Sequence, residues 1–159
     1  MPLRYVHVMQ VLGISIDPAG GHPRLHGVLL SGTPDDPRVV DYFEVRTNER
    51  EPSEQAVSLA RLLLGKLPGL DYEHAAVRTA GTPPVARRNR AQFSRAHAEG
   101  SVLYVLREHG KQPVLCGDPQ ALATAAGTKK AQLLESAARI SEGNKEAVVA
   151  ALGCLIARA

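Results

Sequence analysis

Arginine is concentrated in one segment of this 159-residue chain. Between Arg78 and Arg107 the sequence contains six arginines and one acidic residue, Glu99, for a charge of +5, whereas the rest contains 13 basic and 15 acidic residues, for −2. A surface that follows a nucleic-acid backbone needs clustered Arg and Lys, and it needs no particular contact with the bases. The segment is therefore a candidate for such a surface, and the alternative is an ordinary solvated helix face.

Other functional classes find little support in the residue types. The chain has two Phe, four Tyr and no Trp, which are too few rings for a protein that stacks single-stranded bases on an aromatic platform. His22 and His26 stand four residues apart without a third ligand at a suitable spacing, so we predict no metal site and no cofactor. Gly20-Gly21 is too short for a phosphate loop, and no dinucleotide-binding fingerprint is present.

Cysteine usage and hydropathy indicate the compartment. Cys116 and Cys154 lie far apart and form no CxxC or Cys/His pattern, so neither a zinc site nor a disulfide framework is expected. We predict that both are buried, reduced thiols. No segment approaches the ~18 apolar residues of a membrane span, and residues 1–10 lack the pattern of a secretory signal. These features predict a cytoplasmic protein, with a single domain over residues 1–159.

The elements that would position these residues alternate between strand and helix patterns. The predicted strands are 8–16, 25–30, 39–46, 74–79 and 113–116. The predicted helices are 52–67, 86–108, 129–140 and one that begins after an N-cap at Asn144. The first three strands are joined by short turns and predict an antiparallel meander. The order as a whole predicts an α/β fold, in which two strands with βα connections extend the meander into a five-stranded mixed sheet with helices on both faces.

The long helix over 86–108 carries most of the arginines. Its apolar residues form a stripe that we predict to be buried, namely Phe93, Ala96, Gly100, Leu103 and Leu106. At 100° per residue the arginines fall away from this stripe, which predicts an exposed basic face of Arg87, Arg88, Arg90 and Arg95. Lys129 and Lys130 begin another helix, where positive charge is unfavourable against the helix dipole, so an anionic partner is favoured there.

Three segments follow one another in an order and spacing that resemble a known family. Residues 11–18 read VLGISIDP, residues 93–100 read FSRAHAEG, and residues 127–133 read GTKKAQL. In turn they resemble the first strand, the long helix and the Gly-x-Ala-x-Lys-x-Gln-Val loop of the RuvC-type Holliday junction resolvases, which belong to the ribonuclease H-like superfamily. The resemblance covers about residues 10–157. It implies a ribonuclease H-like fold, DNA as the partner with Lys129 and Lys130 near it, and a long helix that takes part in dimer geometry.

The resemblance also implies where catalytic acids would stand, because this family holds two Mg²⁺ ions with four carboxylates. Ser15 occupies the first of these positions and Arg78 the second. Ala147 and Ala150 occupy the two in the last helix. Asp17 lies two residues beyond Ser15 and therefore on the same face of the strand. We predict that Asp17 pairs with Arg78, so that an internal ion pair replaces the metal.

These observations favour one function and leave two others open. The leading prediction is a catalytically inactive RuvC-like protein, homodimeric and without a cofactor, that binds nucleic acid through the backbone of duplex or branched DNA or acts as a scaffold. The first alternative is an active Mg²⁺-dependent endonuclease with relocated acids, drawn from Asp17, Glu146, Asp41, Glu44 and Glu73. The second alternative is a protein-interaction module that binds no nucleic acid.

Overall fold

A five-stranded sheet lies between two layers of helices in the computed structural model, which describes residues 8–81 and 90–159. The strands are β1 (Met9–Asp17), β2 (Arg24–Thr33), β3 (Asp36–Arg46), β4 (His74–Arg78) and β5 (Leu115–Gly117). The helices are α1 (Pro52–Lys66), α2 (Arg90–Gly110), α3 (Pro119–Ala125), α4 (Lys130–Ala138) and α5 (Lys145–Arg158). Short 3₁₀ turns occur at Ala19–Gly21 and Leu67–Gly69.

The sheet has the strand order β3-β2-β1-β4-β5. The first three strands pair as an antiparallel meander, and β4 and β5 continue the sheet in parallel with β1. The predicted mixed sheet is therefore confirmed. Because β1 and β4 are parallel, their carboxyl ends meet at one edge of the sheet, where Ser15 is paired in register with Arg78.

Side chains of β1 alternate between the two helical layers, as the pleat of a strand requires. Three of them face the core under α1 and α2, namely Leu12, Ile14 and Ile16. Val11 faces the other core, which α3, α4 and α5 cover. Gly13 also faces α5, and a Cβ atom there would collide with the carbonyl oxygen of Ala147. The missing side chain lets α5 pack directly on β1, which brings the first turn of α5 to the sheet edge.

The helices on the α5 side differ from the prediction. The helix α3 was not predicted, and Asp118 begins it by accepting a hydrogen bond from the backbone N–H of Ala121 at 2.8 Å. Only two residues of α3, Leu122 and Ala123, are buried, so its apolar periodicity is too weak to indicate a helix. The predicted N-cap of α5 is confirmed, because the Asn144 side chain accepts from two backbone N–H groups of the first turn.

The buried face of α2 is not the predicted one. Its buried residues are Ser94, Ala98, Glu99, Val102 and Leu106. Phe93 is 58% exposed, and Ala96 and Gly100 are exposed as well. The predicted stripe is wrong in its first half because charged and small residues turn inward there. Arg95 and Glu99 can be buried because they are paired, and pairing offsets much of the cost of removing charge from water.

One of the two cysteine predictions is wrong. Cys154 is buried in α5, and burial raises the pKa of its thiol to about 11. Cys116 is exposed, because β5 is a three-residue edge strand that pairs on one side only. None of the described helices is long and apolar enough to cross a membrane.

Candidate functional site

The carboxyl ends of β1 and β4 carry polar side chains toward α5. Ser15 and Arg78 lie opposite each other in the sheet register. Both residues are two positions beyond a residue that faces α5, Gly13 in β1 and Ala76 in β4, so side-chain alternation directs them to the same side. Ser15 is buried, and the side chain of Arg78 is 19% exposed. The edge of the sheet therefore presents a hydroxyl and a guanidinium below the start of α5.

Glu146, in the first turn of α5, joins these two strands to α2. One of its carboxylate oxygens, Oε2, accepts a hydrogen bond from Ser15 Oγ at 3.0 Å. The same oxygen lies 3.6 Å from Nη2 of Arg95, and Oε1 lies 3.5 Å from Nη2 of Arg78. Asn144 holds the turn in place, because its Oδ1 accepts from the backbone N–H groups of Glu146 and Ala147, each at 3.1 Å.

Glu99 completes the group from the side of α2. It is 4% exposed, and its Oε1 lies 3.5 Å from Nε of Arg95, one helical turn earlier. The backbone N–H of Ala80, just after β4, donates to Glu99 Oε2 at 3.1 Å. Burial raises the pKa of Glu99, while the nearby Arg95, the Ala80 N–H and Arg78 act in the opposite direction.

These four charged residues, Arg78, Arg95, Glu99 and Glu146, form a compact ion cluster with a formal charge of zero. Three elements contribute to it: β4, α2 and α5. Arg95 contacts both glutamates, and its side chain is only 12% exposed. The Nε atom of Arg78 is buried and has no hydrogen-bond partner in the described part of the chain. Glu146 is the most accessible member, with 45% of its side chain exposed.

The chain superposes on two solved structures over nearly its whole length. The match to the Thermus thermophilus RuvC structure has a TM-score of 0.66 at 21% identity, and covers 94% of this chain and 96% of that chain. The match to T. thermophilus RuvC in complex with a Holliday junction substrate has a TM-score of 0.62 at 22% identity, with 94% and 95% covered. The fold is that of RuvC. Neither the comparison with protein-family models nor the comparison with curated protein sequences gives a match.

On this RuvC fold, the predicted partner of Arg78 is wrong. Asp17 Oδ1 accepts a hydrogen bond from the backbone N–H of Ala19 at 3.0 Å and so caps the turn that follows β1. Arg78 pairs with Glu146 instead. When a turn directly follows an Asp, the short side chain accepts a hydrogen bond from a nearby backbone N–H of that turn and does not extend across the sheet. The predicted ion pair of Arg78 is therefore formed with Glu146 and not with Asp17.

The remaining acids considered for a nuclease lie elsewhere. Asp41 and Glu44 are on β3, at the far edge of the sheet, where Glu44 pairs with Arg46 at 2.8 Å. Glu73 precedes β4, so it lies at the opposite end of that strand from Arg78. No group of three or more His, Cys, Asp or Glu side chains that could hold a metal ion occurs within residues 8–81 and 90–159.

The two positions in α5 that the resemblance assigns to acids are apolar and fully buried. Ala147 and Ala150 are each 0% exposed and belong to the core between α5 and the sheet. A carboxylate at either position would be removed from water without a partner in that core, which is strongly unfavourable. Both positions therefore serve helix packing.

The described residues among those predicted to bind nucleic acid do not form one surface. Arg87 and Arg88 lie outside the described residues. Arg90 is exposed in the first described turn of α2, whereas Arg95 belongs to the ion cluster. The two lysines are exposed at the start of α4, and α4 packs in the layer of α5, on the other face of the sheet from α2.

The role of Glu99 was not predicted from the sequence. One signal could have indicated it, because Arg95 and Glu99 are four residues apart on a helix, the spacing at which opposite charges meet. Ser15 was considered only as a position at which an expected acid is missing. Its hydroxyl contacts Glu146, which is 131 positions away in the sequence.

Proposed function

We propose that this protein is a catalytically inactive, RuvC-like nucleic-acid-binding protein that contacts the backbone of duplex or branched DNA. The observation that carries the proposal is the position of Glu146. This carboxylate stands at the edge where β1, β4 and α5 meet, and it is shared by Ser15, Arg78 and Arg95. Its negative charge is neutralised by the protein itself.

Electrostatics argue against a metal ion at this edge. A unit positive charge and a divalent cation about 4 Å apart repel by roughly 8 kcal/mol at an effective dielectric constant of about 20. The guanidinium groups of Arg78 and Arg95 both lie within 3.6 Å of the acid that a cation would need. Two-metal phosphodiester chemistry depends on cations that clamp the attacking and leaving oxygens. Without them the protein is expected to bind a junction and leave it intact.

The fold and the charge distribution support a nucleic-acid partner. The segment from Arg78 to Arg107 carries the excess of positive charge, and Arg90 presents it on the surface. Positive surfaces of this kind bind phosphates without reading the bases. With few aromatic residues in the chain, recognition of the duplex backbone is favoured over base stacking.

The exposed face of α2 supports a homodimer. Phe93 is 58% exposed and Tyr104 is 69% exposed, and both rings project from this one helix. Tyr104 also lines an apolar groove together with Val57 and Leu64 of α1. Exposed aromatic rings and an apolar groove on one face are typical of a protein interface. A second copy of the chain would cover it and would set two basic surfaces at a fixed distance.

A binding and cleavage assay tests the proposal. The purified protein is mixed with a labelled four-way junction and with a matched linear duplex, in buffers with and without Mg²⁺ or Mn²⁺. We expect binding whose affinity falls steeply with salt, and intact DNA in every buffer. Cleavage of the junction that Asp17→Ala abolishes would overturn the inactive assignment in favour of the nuclease. A lack of binding at low salt would leave the protein-interaction module.

A further inference from the structure

A polar groove lies on the side of the sheet that α1 and α2 cover. Its walls come from the turn after β1, the start of α1 and the first described turn of α2. The groove has a volume of about 790 Å³, which is near the upper end of the ~300–1,000 Å³ range of ligand sites and far larger than one phosphate group. Its polar lining residues are His22, Arg50, Gln55, Arg90 and Ser94.

The charged side chains among the described lining residues of this groove are two arginines. Arg50 and Arg90 come from different elements, both are exposed, and both line the groove. None of the described lining residues is acidic. Glu51 and Glu54 flank the start of α1, but they do not belong to the lining. Two guanidinium groups facing one groove favour an anion, because each presents several N–H donors in the planar geometry that phosphate oxygens accept.

Ser94 supplies a hydroxyl at the wall of the groove. It is only 7% exposed, it lines the groove, and its hydroxyl forms no hydrogen bond within residues 8–81 and 90–159. The hydroxyl oxygen itself is accessible from the groove, where water or a ligand can bond to it. Helical serines commonly bond to the carbonyl of the preceding turn, as Ser101 does to His97 at 3.1 Å. Ser94 lacks this bond, so its hydroxyl is available to a ligand.

The floor of the groove is held rigid by Gln55. This residue is 2% exposed, and its Nε2 donates to the carbonyl oxygen of Gly21 at 2.8 Å and to that of Glu49 at 3.0 Å. These bonds fix the turn after β1 against the segment that leads into α1. Gly21 has a φ of +98°, which permits a backbone path that other residues rarely adopt. The part of the wall that this turn forms therefore loses little entropy when a ligand binds.

We propose that this groove binds phosphate groups, with Arg50 and Arg90 as the charged contacts and Ser94 as a hydrogen-bond donor. That the phosphates belong to a nucleic-acid backbone rests on the proposed function. In that case the groove holds a DNA strand that also passes the start of α2, where Arg90 is exposed. The other source of the same chemistry is a free phosphate compound.

The test compares two double variants that remove the same charge. Arg50→Ala with Arg90→Ala removes two positive charges from the groove. Arg38→Ala with Arg139→Ala is the control, since these two exposed arginines line a different pocket with Glu142. The affinity for a labelled duplex is measured by fluorescence anisotropy over a range of salt concentrations. Amide chemical shifts of the wild type and of the groove variant are followed during a titration with inorganic phosphate, against chloride at equal ionic strength.

If the proposal is correct, the groove variant lowers the slope of log K against log salt by about two, because each lost phosphate contact removes about 0.9. The control variant keeps the wild-type slope. Phosphate shifts the amides of Gly20, Gly21 and Ser94 in the wild type and leaves those of Gly20 and Gly21 unmoved in the groove variant. Ser94→Ala weakens binding by about three- to tenfold, without lowering the melting temperature, because the lost hydroxyl has no partner in the folded protein.

The outcomes distinguish a failure of the groove proposal from a failure of the proposed function. Equal slopes for the two double variants would overturn phosphate binding by the groove and leave nucleic-acid binding by the protein intact. If neither the duplex nor a four-way junction binds but phosphate still shifts the groove amides, the groove stands with a free phosphate compound as its ligand, and the proposed function fails. If neither DNA nor phosphate binds, both are overturned.

Discussion

Arg78 of β4 and Glu146 of α5 form an ion pair across the carboxyl edge of the sheet, with 3.5 Å between Nη2 and Oε1. The pair connects the parallel half of the sheet to the helix that packs on it. Arg95 reaches the same carboxylate from α2, on the other face. One acid therefore connects three elements at the carboxyl end of the parallel strands β1 and β4. The edge is stabilised by internal charges, and this arrangement determines what substitutions do there.

Replacement of Glu146 by alanine is expected to destabilise the fold by about 1–2 kcal/mol. The change leaves two largely buried guanidinium groups without this carboxylate, and breaking a buried pair from one side is costly. The loss of stability is smaller than for a fully buried pair, because nearly half of the Glu146 side chain is exposed. Urea denaturation measures the effect. The control is Glu135→Ala, which removes the exposed pair with Arg139 and should cost less than about 0.5 kcal/mol. Equal losses in the two variants would mean that Glu146 in the ion cluster contributes no more than an exposed ion pair.

Three substitutions together should introduce a metal site. Ser15→Asp with Arg78→Glu sets two new carboxylates beside Glu146, since Ser15 and Arg78 are paired in register and both reach that residue, and Arg95→Gln removes the remaining guanidinium beside it. Three clustered acids repel one another, so the triple variant should melt below the wild type. Mn²⁺ at about one hundred times its Kd should then raise the melting temperature by about 5–10 °C. Differential scanning fluorimetry measures this shift. A comparable rise in the wild type would contradict the absence of a functional metal site.

Glu99 should give stability a measurable pH dependence. Burial, the largest effect, raises the pKa of this group above its usual value of 4.5, so the folded state binds the proton more tightly than the unfolded state. The resulting stabilisation is complete below pH 4.5 and is lost as the pH rises through the raised pKa. Glu99→Gln imitates the protonated form at every pH, so its free energy of unfolding should increase relative to wild type across that window. A relative decrease would show that Arg95 outweighs burial.

Local sequence was sufficient for the sheet and insufficient for the ion cluster. The apolar, β-branched segment of β1 predicted a buried strand, and the Asn144 N-cap predicted the start of α5. Asp17 was misassigned because its own turn satisfies it. The partners of Glu146 come from β1, β4 and α2. The spacing of residues in the sequence does not predict which of these elements contact one another. Arg95 was predicted to be exposed because a prediction from helical periodicity assigns every arginine to the solvent-facing side.

Close packing of α5 on β1 should make Gly13 intolerant of a side chain. A Cβ atom at this position would collide with backbone and side-chain atoms of Ala147 and Ala151. Gly13→Ala is therefore expected to cost about 3 kcal/mol or more, because a packed core accommodates extra atoms poorly. The control is Gly65→Ala in α1, where a Cβ meets no atom within 4 Å and helix propensity predicts a gain of about 0.5–1 kcal/mol. Thermal and urea unfolding of both variants measure the difference. A small loss for Gly13→Ala would mean that α5 shifts easily and does not fix the position of Glu146.

The exposed ring of Phe93 provides a test of the proposed dimer. Phe93→Asp introduces a charge on the exposed face of α2, which a dimer interface would have to bury without a partner. Sedimentation velocity should show a dimer for the wild type and a monomer for this variant. Tyr42→Asp is the matched control, because Tyr42 on β3 has the same exposure of 58% and lies on a different element. The control should remain dimeric. If only Tyr42→Asp dissociates the dimer, the interface lies at the edge of the sheet and not on α2. A monomeric wild type would refute the dimer.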